Sequence, residues 1–190
     1  MPNPIISHQA PTLYLKMKFP KRIDVTAICI GALVPDLTIF IELRHVTHSL
    51  LGQVYWTIPL TLLLTMIFDR YIANFLSNIS KKKGFIPRIL RYFGADDWGI
   101  AINKKFDKKF FIVAAYSALI GGLTHLLLDF PSHLHVELFY PWALFRLYEF
   151  PWIPGVIWII EDIILFVTSL YLLRRIKKKV LVRSWYTLKP

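Results

Sequence analysis

Two nearly unbroken apolar runs, Leu50 to Phe68 and Phe110 to Leu128, do most to narrow what this chain can fold into. Each is long enough, as a helix, to cross the hydrocarbon core of a bilayer. A backbone without water must satisfy its own polar groups, so runs of this kind predict helices rather than isolated strands. Gln53 and His125 are their main polar interruptions. Two further stretches read as spans with more polar content: Ile23 to Leu43, which carries Asp24, Pro35, Asp36 and Glu42, and Pro151 to Leu173, which carries Glu161 and Asp162. A chain that is 55% hydrophobic with mean hydropathy +0.48 exceeds an ordinary soluble domain in both respects. The expected fold is an all-α integral membrane bundle of about four spans (23–43, 50–68, 110–128 and 151–173), with the first span broken at Pro35. The short connections and the absence of a Gly/Ser linker make residues 1–190 one domain.

The net charge of +11 raises the question of nucleic acid, and the placement of the 23 Lys and Arg residues answers it. Four precede the first span, ten lie between Asp69 and Lys109, and seven follow Leu173; the other two connections hold only Arg44 and Arg146. Such segregation is a topology signal that predicts both termini on the cytoplasmic side and an attraction to anionic lipid, not nucleic-acid binding. Pro2, Pro4 and His8 stand where a cleavable signal would carry a basic start and an apolar core, so the first span is expected to act as the anchor. Cys29 is the single cysteine and forms no intramolecular disulfide. Within the cytoplasmic connection 69–109, Phe85 to Phe93 mixes basic and large apolar residues, which suits either an interfacial helix or an anchored loop.

Histidine placement carries the chemistry. His125 and Asp129 are four apart and share a face of the third span near its outer end, and Pro131 then ends the helix before His133 and His135. Four potential ligands within eleven residues predict a metal site, with Zn²⁺ first among divalent ions. His45 and His48, three apart at the outer end of span one, extend that ligand set if the two spans pack together. Asp36 stands nine residues from His45, about 13 Å along an unbroken helix and on nearly the opposite face. A break at Pro35 turns it into the site; otherwise it orients another polar group. Glu161 and Asp162 lie within the fourth span, where an ionised carboxylate needs a cation or a proton, and Glu161 is expected to face the site. Arg44 and Arg146 are the basic residues expected on the outer side, suited to a phosphate oxygen or to interface anchoring.

The order Ser7-His8-Gln9-Ala10-Pro11, Gly31 to Asp36, His45-x2-His48 and His125-x3-Asp129 resembles an uncharacterised family of small bacterial membrane proteins related to predicted inner-membrane metal-dependent hydrolases. The ligand order is also similar to the zinc-dependent phospholipase C group. That resemblance implies a bacterial inner-membrane location and, as ligands, His8, Asp36, His45 or His48, His125, Asp129, His135 and Glu161. Ile157 occupies the position where the closing His-x3-Glu of that group would place its histidine. His8 precedes span one, so a continuous span would put it across the bilayer from the other ligands.

These readings lead to a membrane-bound, metal-dependent hydrolase acting on a phosphoester, most readily a lipid at the outer face. Asp36 and Glu161 are its expected catalytic carboxylates. Two other classes fit the same residues: an ion or proton conductor using Asp36, Glu161 and Asp162, and a membrane subunit whose metal staples helices together.

Overall fold

The structure is a computed structural model that describes residues 6–40, 44–130, 136–142, 155–179 and 181, and among them every regular element is helical. Helix α1 (Gln9–Lys18) has ten residues, about half the length a bilayer crossing needs. Helix α2 (Val25–Gly31) begins where the Asp24 carboxylate accepts the Ala27 N–H at 3.0 Å. It stops at Gly31 because Pro35 lacks an N–H, and in a continuing helix its ring would clash with the Gly31 carbonyl four residues back. The chain turns instead into a 3₁₀ segment, Val34–Phe40. The first expected span is therefore broken, and α1 with α2 forms a short hairpin.

After the single-turn α3 (Arg44–Thr47), Ser49 caps α4, its Oγ accepting the Gly52 N–H at 3.0 Å. Helix α4 (Leu50–Ser80) runs on for 12 residues beyond Phe68, where the apolar run ends. Asp69 does not end the helix because it is fully buried and bonded. Helix α5 (Phe85–Tyr92) ends at Gly94, whose φ of +90° suits glycine. It turns Phe85, Ile86 and Ile89 outward, as an interfacial helix would. A 3₁₀ stretch, Ala95–Asn103, leads to α6 (Lys108–Asp129), capped by Asp107. Helix α7 (Gly155–Lys178) is 24 residues long.

Helices α4 and α6 are each long and apolar enough to cross a membrane. Helix α2 lies so close to α6 that a Cβ on Gly31 would strike the Ala118 backbone and one on Gly121 the Ile28 carbonyl. Small residues permit this approach, as they do between membrane helices.

The α1–α2 hairpin brings His8 and Asp36 to one end of the bundle, beside the C-terminal end of α6. At the other end Lys104 sits 2.5 Å from Asp24 and 2.6 Å from Asp69, with Thr26 donating to Asp69 at 3.0 Å. Lys177, near the end of α7, reaches Asp96 and the Arg91 carbonyl at this second end. His8 thus lies at the end of the bundle that holds Asp129, and Lys177 at the other.

Burial alone would lower the Lys104 ammonium, but Asp24 and Asp69 outweigh it and hold it above its ordinary value. Lys16 differs. Its ammonium donates to the Pro20 and Ile23 carbonyls, each at 2.7 Å, and burial, only partly offset by Asp24, pulls it down from 10.5 to about 8. Between those values the unfolded chain holds a proton that the native state has released, so stability should rise with pH across that window. The expected slope approaches about 1.4 kcal/mol per pH unit. Denaturation of detergent-solubilised protein from pH 7 to 10.5 should show this rise in the wild type, and Lys16→Met should flatten it; parallel curves would refute the assignment.

Candidate metal centre

Four side chains converge at the first end of the bundle. The 3₁₀ segment delivers Asp36, the turn after α3 delivers His48, and the last turn and a half of α6 delivers His125 and Asp129. One ligand atom from each lies within 4.8 Å of all the others. His125 Nε2 is 3.1 Å from Asp129 Oδ2, 3.3 Å from His48 Nε2 and 3.7 Å from Asp36 Oδ1. His48 Nε2 is 3.4 Å from Asp36 Oδ1 and 3.8 Å from Asp129 Oδ2. A tetrahedron with metal–ligand bonds of about 2.1 Å has edges of about 3.4 Å. These five separations scatter around that edge and the sixth, Asp36 to Asp129, is within 4.8 Å, so the four groups could hold a small divalent ion.

The imidazole of His48 is oriented for this role. Thr47 Oγ1 lies 3.2 Å from His48 Nδ1 and 3.4 Å from the Pro35 carbonyl. With the hydroxyl donating to Pro35 and accepting from Nδ1–H, the lone pair of Nε2 faces the centre. His8, at the start of α1, is buried and its Nε2 stands 3.0 Å from Asp129 Oδ1, so the two oxygens of one carboxylate serve His8 and His125 separately. On α7 the Asp162 carboxylate accepts the Ser7 hydroxyl, and Glu161 is within electrostatic reach of His8 and Asp129. Burial is uneven: the side chains of His125, Asp129 and His48 are 0%, 4% and 7% exposed, whereas that of Asp36 is 30% exposed. The centre opens on the Asp36 side.

Five of the eleven expected site residues meet here. Asp36, His48, His125 and Asp129 come together, His8 joins through Asp129, and Glu161 stands beyond His8, outside the four-atom set. His45 does not join: α3 ends at Thr47, so the two histidines share no helical face. His48 turns inward while His45 is half-exposed, its Nδ1 lying 3.6 Å from Glu137 Oε1. His133, His135 and Arg146 lie outside the described residues, as does the side chain of Arg44.

The model of a family described as a domain of unknown function, DUF4184, matches residues 1–176. The chain belongs to this family. No curated protein matches it, and no solved structure does.

Sequence reading missed the second buried cluster, Asp24, Asp69 and Lys104, with Lys16 nearby. It also missed a row on α4, Gln53, Thr57, Thr61, Thr65 and Asp69, all fully buried. The signal for the row was present, because a polar residue every fourth position through an apolar run marks one helix face. The signal for the cluster was not, since Lys104 sits among lysines that a basic loop supplies anyway.

Proposed function

We propose that this protein is a membrane-embedded, metal-dependent hydrolase that acts on a phosphoester carried by a lipid or lipid-like molecule. The observation that supports this most is the uneven exposure of the centre. His48, His125 and Asp129 form a buried set of two imidazoles and one carboxylate, the kind of three-ligand set that catalytic zinc sites use, and the fourth corner faces outward at Asp36. Bound there, the ion would lower the pKa of a water towards about 7 and polarise a phosphoryl oxygen.

The protein's own groups do the rest. Asp36, 3.4 and 3.7 Å from the two imidazoles, is placed to accept the proton of that water. His8 holds Asp129 in position through the oxygen that faces away from His125. Leu37, Leu50, Leu51 and Leu127 stand exposed within three residues of the ligands in sequence, an apolar rim suited to acyl chains. The basic connection and the basic end of α7 belong to the opposite end of the bundle, which under the positive-inside rule puts the centre on the outer face of a bacterial inner membrane. In this reading α4, α6 and α7 cross the bilayer and the α1–α2 hairpin enters it without crossing.

Asp36→Asn separates catalysis from metal holding. Metal content should stay near one ion per chain, while turnover of phospholipid or lipid phosphate should fall by about 10²–10⁴-fold, the range typical of a lost general base. Equal turnover by variant and wild type would remove Asp36 from the mechanism. A wild type that turns over none of these substrates and unfolds when the ion is chelated would instead identify a metal staple.

A further inference from the structure

Between its two buried clusters the bundle carries a line of polar atoms with no partner among the described residues. The Gln53 amide nitrogen donates to the Thr47 carbonyl at 3.1 Å and the Ser49 carbonyl at 3.3 Å, but among the described residues its Oε1 has no hydrogen-bond partner, nor do the hydroxyls of Thr57, Thr61 and Thr65. All four residues are 0% exposed. Unpaired hydroxyls in a dry interior are unfavourable, and native proteins satisfy such groups with protein atoms or with water.

Spacing selects water. Residues four apart on a helix are about 6 Å apart along its axis, too far for direct bonding and close to the span of two O–H···O bonds of about 2.8 Å through a single water. Two π-helical turns, Gln53–Thr57 and Phe68–Ile72, underwind α4 at the two ends of the row, which helps a four-residue repeat stay on one face. Opposite the first step is Gly122, where a Cβ would collide with Gln53 Oε1 and come within 3.0 Å of Thr57 Cγ2. The row then ends at Asp69, whose Oδ1 accepts from Thr26 and whose Oδ2 meets Lys104. From Gln53 to Asp69 the distance is about 24 Å, most of a hydrocarbon core.

We propose that Gln53, Thr57, Thr61 and Thr65 line a file of waters that conducts protons between the Asp24–Lys104–Asp69 cluster and the end of the bundle that holds the centre. Conduction is by relay: each water passes one proton on as it receives another, so only O–H bonds form and break and no co-reactant is consumed. The file stands independently of the hydrolytic reading, since it needs neither the metal nor a substrate.

The test is proton flux into liposomes containing the full-length protein and an entrapped pH-sensitive dye, with the membrane potential set by a potassium gradient and valinomycin. Wild-type vesicles should acidify faster than protein-free vesicles. Thr61→Val with Thr65→Val, which keeps shape and removes two hydroxyls, should slow the flux by about tenfold, the factor that one hydrogen bond of ordinary strength puts on a rate. Thr61→Ser with Thr65→Ser should restore it. Wild-type vesicles no leakier than protein-free ones would overturn the proposal whatever the variants do, and so would a valine pair that conducts like wild type.

Discussion

Replacing His125 and Asp129 together with Ala should abolish metal binding at the proposed centre. The two side chains stand 3.1 Å apart in the four-atom set, and Asp129 also carries the contact to His8 at 3.0 Å. Of the four described donors, only His48 and Asp36 then remain, 3.4 Å apart, and two donors with one of them 30% exposed do not hold a divalent ion against water. Loss of a group that merely supports a ligand already lowers affinity about 10–100-fold, so loss of two ligands should exceed that range. The measurement is elemental mass spectrometry on detergent-purified protein carrying no affinity His-tag. Near-stoichiometric zinc, manganese or iron in the wild type and none in the variant is the expected result, with helix content by circular dichroism unchanged. A variant that keeps its ion would move the metal site elsewhere in the chain.

Why much of this centre was legible in the sequence, and part of it was not, follows from how each residue is held. His125 and Asp129 lie on one continuous helix, where a separation of four fixes a shared face whatever the rest of the fold does. Asp36 and His48 lie on irregular segments that follow the break, so their positions depend on Pro35 ending α2 at Gly31, a consequence of sterics that the sequence signals without giving the direction of the turn. The same break resolves His8. A continuous first span would separate it from the site by a bilayer, whereas the α1–α2 hairpin returns it to Asp129. His45 shows the opposite failure: periodicity pairs it with His48, but a single-turn helix is too short for periodicity to carry across its end. Charge counting found the basic connection but not that one of its lysines is buried between two carboxylates, because burial of an ion pair is decided by tertiary partners distant in sequence.

That buried lysine leads to the second large effect: Lys104→Met should destabilise the protein by about 3–5 kcal/mol, the usual consequence of stripping one partner from a buried ion cluster. Asp24 and Asp69 are both 0% exposed, and their Oδ2 atoms lie 2.5 and 2.6 Å from the ammonium; without it two desolvated carboxylates share one site. The effect should be reversible by a second change. In Lys104→Met with Asp69→Leu only Asp24 keeps a charge; it still accepts the Ala27 N–H at 3.0 Å, and Lys16 is near enough to offset it. The double variant should therefore recover most of the loss, giving a coupling energy of opposite sign to the single substitutions. Unfolding of full-length protein in mixed detergent measures Lys104→Met, Asp69→Leu and the double variant, and a Lys104→Met within about 0.5 kcal/mol of wild type would mean the cluster adds nothing to stability. A local readout accompanies the global one. Lys104 closes the 3₁₀ stretch Ala95–Asn103 and ties it to α2 and α4, so its loss should expose the connection to limited proteolysis at concentrations of denaturant where α4 and α6 are still intact.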